Sequence, residues 1–288
     1  MTETDATNRI AVLGAGVMGS SIAAMALGHS LDVTLVDIDA ATLDQATTRI
    51  NTQLRMATLM GAVPAGRSRG RLTTGSEPEA AGDCTAVIEA IIEDTGAKAE
   101  VLARVSAVVR PGTPLVTNTS SIPVDELAEA ARRPDEVVGT HFMNPAYLIR
   151  TVEVIKGVRT SSATMDAVRA LLAAMDREPI VVRDAPGFVT SRIAHPMINT
   201  AIQVVQEGTA TVEDVDALMQ GCLGHPTGPL RTADLIGLDN LADSLTVLLE
   251  RTGDESCRPC DLLLEKVSRG DLGRKSGRGF YDYKETVL

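Results

Sequence analysis

The first apolar run of the chain, residues 9–13 (RIAVL), is short, β-branched and aliphatic, stops abruptly at glycine, and reads as a buried strand. Small and apolar residues after the glycines suit a helix with Gly28 near its end, and a second strand falls at residues 32–36 (DVTLV), closing on Asp37. Helical spacing then runs from residue 40 to residue 59. The stretch that follows, GAVPAGRSRGRLTTGSE, is rich in Gly, Pro and Arg and reads as an irregular projection or helix-breaking loop. Further strands are predicted at residues 86–90, 115–117, 137–140, 152–155 and 180–182, with helix between several of them, as at 98–109. Strands alternating with helices predict an α/β fold with a doubly wound, mostly parallel sheet. From Pro186 onward the pattern is helical with no strand between, so Asp184-Ala185-Pro186-Gly187 is the predicted boundary between a first domain, 1–185, and an all-α domain, 186–288.

Composition narrows the function. Of the 288 residues 44% are hydrophobic but only 2% aromatic, so aliphatic side chains must build the core. Lys and Arg total 27 against 38 Asp and Glu, a net charge of −11. An acidic chain with so few aromatic rings lacks the basic face and stacking platforms of a nucleic-acid binder. No apolar run approaches the roughly 20 residues of a membrane helix, and the opening MTETDATNR has no basic region leading into an apolar one; a cytoplasmic protein is expected. The four cysteines, Cys84, Cys222, Cys257 and Cys260, are too few for a disulfide scaffold of this length. Cys257 and Cys260 form CRPC, but no second pair completes a zinc site, so reduced structural thiols are expected and no metal.

Gly14-Ala15-Gly16-Val17-Met18-Gly19 fits GxGxxG, follows a predicted strand, opens a predicted helix, and is followed by Asp37 at the end of the next strand. The first glycine permits a tight turn, the second lets a pyrophosphate approach the backbone, and the third lets helix and strand pack closely; the helix N-terminus supplies N–H donors. The combination predicts a Rossmann-type dinucleotide site, with a structural turn as the alternative for the glycines and a solvated loop aspartate as the alternative for Asp37. A carboxylate at Asp37 accepts hydrogen bonds from ribose hydroxyls and repels a 2′-phosphate, and no Arg follows directly, which favours NAD over NADP. His141, in VGTHFMNP, sits at the end of a predicted strand, where doubly wound sheets place ligands, and Glu153 lies on the next strand. A carboxylate beside an imidazole makes a competent base near neutral pH, although spacing alone leaves a structural histidine open.

These residues resemble the 3-hydroxyacyl-CoA dehydrogenase family along nearly the whole chain: VLGAGVMGSSIA, DCTAVIEAIIED, TNTSS, GTHFMNPAYLIRTVEVI, DAPGFVTSR, GCLGHPTGPLRTADLIGLDN and GRKSGRGFYDY, in order. The resemblance implies an NAD-binding Rossmann-type domain followed by a helical domain that contributes to substrate binding and makes a homodimer. It implies His141 as the base, Glu153 as its acidic partner and Ser120 as the hydroxyl bonded to the reacting oxygen. Asn118 is implied to lie beside the nicotinamide, with Asn144, Glu89, Lys98 and Met18 among the contacts to cofactor or substrate. Ser191 stands in GFVTSR where the family usually has Asn; it is carried into the catalytic and substrate set as a shorter donor.

HFMNPAYLIRTVEVI, GPLRTADLIGLDN and RPCDLLL further resemble the dehydrogenases of polyketide extender-unit pathways. That implies a hydroxyacyl group on an acyl carrier protein, of the glyceryl type, with 3-hydroxybutyryl-CoA or another 3-hydroxyacyl-CoA of fatty acid metabolism as the alternative. Arg55, Arg67, Arg69 and Arg71 suit CoA phosphates or the acidic face of a carrier protein, with a solvated loop as the alternative. A 3-hydroxyisobutyrate-type dehydrogenase needs a lysine base that TSRIAHPMINTAIQVVQEG does not contain, and a non-catalytic NAD-binding protein rests on Ser191 alone. His195 and His225 are read as an interface or surface histidine and a loop residue, outside the catalytic set.

Overall fold

The structure, a computed structural model, describes residues 9–283; the polar N-terminal residues 1–8 and residues 284–288 lie outside the described residues. Contacts divide the chain into one compact unit, Met1–Ala185, and a second, Pro186–Leu288.

The first unit is a sheet of eight strands among the described residues: β1 (Arg9–Leu13), β2 (Asp32–Val36), β3 (Leu72–Gly75), β4 (Ala86–Glu89), β5 (Leu115–Thr117), β6 (Val137–His141), β7 (Thr151–Lys156) and β8 (Glu178–Arg183). Their order is β3-β2-β1-β4-β5-β6-β7-β8, with every neighbouring pair parallel except β6 and β7. The helices α1 (Val17–Gly28), α2 (Ala40–Leu59), α3 (Thr95–Val108), α4 (Val124–Ala128) and α5 (Ser162–Ala174) connect or flank them. The strand order reverses between β1 and β4, and the carboxyl ends of strands at such a switch point are where doubly wound sheets place their ligands. β1 beyond Arg9 and all of β4 are buried, so Ile10–Leu13 and Ala86–Ile88 read as continuous apolar runs rather than alternating ones. The core is aliphatic, built from residues such as Ile10, Val12, Leu35, Ile88 and Leu172, with Phe142 and Tyr147 as its rings.

Strand β3 corrects the sequence expectation of an irregular projection across this region. Leu72–Gly75 pairs parallel with β2, from Val33↔Leu72 to Val36↔Gly75. It is an edge strand with exposed Thr73 and Thr74, so no apolar run announces it. Tertiary contacts bring it to β2: Gly70 N–H donates to the Leu27 carbonyl at 2.9 Å, and Arg71 N–H donates to the Asp32 carboxylate at 2.8 Å. Gly70 is obligatory there, because a Cβ would stand 1.8 Å from the Leu31 carbonyl oxygen.

The second unit is helical among the described residues: α6 (Thr190–Gln206), α7 (Val212–Leu223), α8 (Pro229–Ile236), α9 (Leu238–Thr252) and α10 (Asp261–Ser268). Its core is again aliphatic, around Ile198, Ile202, Leu230, Leu241, Leu245 and Leu263. The C-terminal segment is bonded to two buried aspartates: Phe280 and Tyr281 N–H donate to Asp234, and the Tyr281 hydroxyl donates to Asp216 at 2.8 Å. Cys257 and Cys260 are buried free thiols, and burial pushes both up from the usual thiol value. No helix among the described residues is long and apolar enough to cross a membrane.

Candidate active site

The glycine turn is built as the motif requires. Gly14 has φ +98°, in the left-handed region, and a Cβ there would stand 2.5 Å from the Ala90 carbonyl oxygen. At Gly19 a Cβ would come 1.8 Å from the Gly14 oxygen, which is why helix and strand can pack so closely. Gly16 faces the other way: it is exposed, and nothing lies within 4 Å of where its Cβ would be. Gly16 also caps α1 without any side-chain bond, so the first N–H groups of a 12-residue helix point into an open cradle beside exposed Val17 and half-buried Met18. Such a helix end suits a diphosphate. The Asp37 carboxylate, just past β2, accepts from Ala15 N–H at 2.7 Å and Asp39 N–H at 3.0 Å, which aims it at the rim of the same turn. The residues present fit a dinucleotide. Sequence reasoning passed over Arg49, whose guanidinium reaches from α2 to the Ala15 carbonyl and the Ser20 hydroxyl at 3.3 and 3.1 Å.

Parallel strands carry the remaining candidates to the same edge. Glu89 ends β4, Asn118 follows β5 and His141 ends β6, one residue further than predicted. Glu153, twelve residues after His141 in sequence, becomes its direct cross-strand partner because β7 runs antiparallel to β6. His141 Nδ1 lies 3.1 Å from Glu153 Oε2, with both side chains buried. Asn118 ties the strand ends together: its N–H donates to the Glu89 carbonyl at 2.8 Å, and its side-chain oxygen accepts from Phe142 N–H at 3.0 Å.

Glu89, implied by the resemblance to contact cofactor or substrate, has its side chain bonded within the first unit. The residue is 0% exposed, and its carboxylate accepts from Lys98 Nζ at 2.6 Å, Ile91 N–H at 2.8 Å and the Thr117 hydroxyl at 2.6 Å. Its side chain thus holds Lys98 and the β5 end. Lys98, also buried, reaches on to Glu93 Oε2 at 3.3 Å. Glu93 is the carboxylate that sequence reasoning missed. Its Oε1 accepts from the Thr119 hydroxyl and from the N–H groups of Ser120 and Ser121, at 2.6, 2.7 and 3.1 Å, so it clamps the loop after β5. Burial works to raise the Glu93 carboxyl, but the Lys98 charge and these donors outweigh it and hold the group below the usual carboxylate value. The motif VIEAIIED displays both glutamates, yet only the fold separates the sealed one from the one facing the loop. Ser120 is half-buried, with its N–H on Glu93.

Other expected residues lie further out. Asn144 is exposed on the loop between β6 and β7. Arg55, Arg67 and Arg69 are exposed; Arg55 donates to Thr52 and Arg69 to Asn51, while Arg71 pairs with Asp32 at the sheet edge. Arg69 and Arg71 line a cavity of about 680 Å³ between α2 and β3, with Ile50, Leu54 and Leu72 as its apolar wall. In the second unit, Ser191 is buried in the first turn of α6. His195 is buried rather than at the surface, with Nδ1 2.7 Å from the Ser244 hydroxyl. Among the described residues no group of three or more His, Cys, Asp or Glu is placed to hold a metal ion.

Comparison with known proteins identifies the family. Residues 9–185 match the family model for the 3-hydroxyacyl-CoA dehydrogenase NAD-binding domain, and residues 187–283 match that for the 3-hydroxyacyl-CoA dehydrogenase C-terminal domain. The chain is 41% identical over 280 residues to a probable 3-hydroxybutyryl-CoA dehydrogenase of Bacillus subtilis, covering 96% of this chain and 98% of that protein. It is 38% identical over 279 residues to the 3-hydroxybutyryl-CoA dehydrogenase of Bradyrhizobium diazoefficiens, covering 96% and 95%. The crystal structure of an (S)-3-hydroxybutyryl-CoA dehydrogenase from Ralstonia eutropha superposes with a TM-score of 0.83 at 34% identity, covering 97% of this chain and all of that one. A glycine turn, an acid-terminated second strand and a histidine–glutamate pair at the carboxyl edge thus coincide with family matches to both units: the chain belongs to the 3-hydroxyacyl-CoA dehydrogenase family, an NAD-dependent oxidoreductase acting on a CH–OH group.

Proposed function

We propose that the protein reversibly oxidises the 3-hydroxyl of a short 3-hydroxyacyl-CoA to the 3-oxoacyl thioester. The observation that carries this reading is the buried His141–Glu153 pair, in register at the strand ends of an NAD-binding sheet. Bound NAD supplies the hydride acceptor. In this reading His141 takes the hydroxyl proton on Nε2, while Glu153 at Nδ1 orients the ring and stabilises its charged form. Ser120 donates to the reacting oxygen from the loop that Glu93 and Lys98 hold, and Asn118 and Asn144 flank the nicotinamide. Asp37 takes the ribose hydroxyls and Gly14, Gly16, Met18 and Gly19 form the diphosphate turn. Ser191 stays in the substrate set on the resemblance alone.

The relatives described above are named for CoA thioesters, and CoA takes the place of the carrier protein favoured by the motifs around HFMNPAYLIRTVEVI. Reduced nicotinamide formation from 3-hydroxybutyryl-CoA, measured beside a 3-hydroxyacyl group on acyl carrier protein, tests the choice. Turnover of the CoA thioester is expected, with at least about a hundredfold loss in His141→Ala. Turnover confined to the carrier-bound substrate would return the carrier-protein reading, and equal rates for wild type and variant would remove His141 as the base.

A further inference from the structure

Residues 142–150 connect β6 to β7 and carry Asn144 between the strand ends that bear His141 and Glu153. Two side chains distant in sequence hold this loop. Ser21, on α1 just beyond the glycine turn, accepts through Oγ from Ala146 N–H at 2.9 Å. Arg177, in the turn between α5 and β8, donates from Nη1 to the carbonyls of Ala146 and Ile149 at 3.2 and 3.0 Å, and from Nε to the Met175 carbonyl at 2.9 Å. The loop's own turn lies between those contacts, with Leu148 and Ile149 N–H donating to the Pro145 carbonyl at 3.0 and 3.3 Å.

Arg177 is an expensive way to fill this space. It is 4% exposed, and its neighbour Asp176 pairs with Arg150 instead. Burial pushes the guanidinium below its usual pKa. A buried cation without a carboxylate is costly, and an apolar side chain of similar length would pack without that cost. A guanidinium offers donors in a rigid plane, which lets one group bridge two loop carbonyls and the end of α5 at once; a lysine ammonium lacks that fork.

We propose that Arg177 is a positioning residue for the reaction: its fork fixes the 142–150 loop, and thereby Asn144, beside α1 and the glycine turn. The inference rests on the reading that Asn144 meets the cofactor and His141 the hydroxyl. Arg177 touches no reacting atom in it, and its effect passes through the loop.

The test uses the full-length chain with Arg177→Lys, Arg177→Met and Arg177→Ala. Amide hydrogen exchange is expected to rise at Ala146, Leu148 and Ile149 in each variant and to stay unchanged in β1 and β2. The dissociation constant for NAD is expected to rise about tenfold in Arg177→Met and less in Arg177→Lys, and kcat to fall by about ten- to a hundredfold, because small displacements of aligned groups are costly. The pH dependence of kcat should keep its shape, since the His141–Glu153 pair is set by strand register. Added guanidinium ion should restore part of the NAD affinity in Arg177→Ala. Unchanged exchange at 142–150, or exchange raised throughout the sheet in Arg177→Lys, would overturn the proposal, the second by reducing Arg177 to general stability. If wild type turns over no 3-hydroxyacyl thioester while the loop amides and NAD affinity respond as expected, the functional reading fails and only the part of Arg177 in holding the 142–150 loop for NAD binding stands.

Discussion

His141 and Glu153 show what a residue needs beyond its own chemistry. An imidazole becomes a reliable base when one nitrogen is committed to a partner, and here the 3.1 Å contact to Glu153 makes that commitment from an adjacent strand. Glu153→Gln keeps the size of the side chain and replaces a carboxylate with an amide that cannot stabilise the imidazolium equally. A fall in kcat of about 10²- to 10³-fold is expected, within the range for general acid–base catalysis, with little change in NAD affinity. Steady-state kinetics with a separate NAD titration checks this; a kcat within about threefold of wild type would leave Glu153 without its assigned part. At Glu89 and Glu93 the same residue type, four positions apart, does different work: one carboxylate is sealed against Lys98 and Thr117, the other bonds the amides of the Ser120 loop. Sequence alone treats them as equals, because burial depends on which strand end each side chain meets.

At the scale of elements, α2 and β3 enclose the most basic stretch of an acidic chain. Between Gln45 and Ser76 there are five arginines, Arg49, Arg55, Arg67, Arg69 and Arg71, and no Asp or Glu. Arg49 serves the glycine turn and Arg71 the sheet edge, which leaves Arg55, Arg67 and Arg69 exposed as proposed partners for the phosphates of the thioester. Charge reversal at Arg67 and Arg69 together is expected to raise KM for the CoA thioester by about tenfold and to flatten its dependence on salt, with KM for NAD unchanged. An unchanged thioester KM would assign these arginines to solubility alone. The neighbouring strand β3 could not be read in sequence because an exposed edge strand carries no apolar signature; it forms because β2 presents an unpaired edge and Gly70 lets the backbone approach it.

For the whole molecule, the two units are stabilised differently. The first is a mostly parallel sheet held by ladder bonds and an aliphatic core, while the second depends on polar anchors for its C-terminal segment. Burial, together with the bond to Asp216 and its charge, pushes the Tyr281 phenol up to about 12, and burial with Asp234 raises Tyr283 likewise. A raised phenol keeps its proton in the fold after the unfolded chain has begun to lose it, so this contribution is intact below pH 10.0, the ordinary tyrosine value, and is lost as pH rises through the folded value. The thermal midpoint of the wild type is therefore expected to fall more steeply between about pH 10 and pH 12 than that of Tyr281→Phe/Tyr283→Phe, and parallel declines would contradict the assignment.

Sequence by itself determined the fold class, the glycine turn, the acid after the second strand, the family and the change of pattern near Pro186. Each of these is local: a period of apolar residues, glycines at fixed offsets, or a motif read within a few residues. Tertiary structure alone decided which of those residues meet. The antiparallel insertion of β7 makes Glu153 the partner of His141, and the ends of β4 and β5 bring Lys98 and Glu93 under the Ser120 loop. Arg177 is tied to a loop 31 and 28 residues away, at Ala146 and Ile149. The reason is physical: strand register and chain reversal set which side chains share a space, and hydrogen bonds between residues far apart in sequence leave no period along the chain for a sequence pattern to carry.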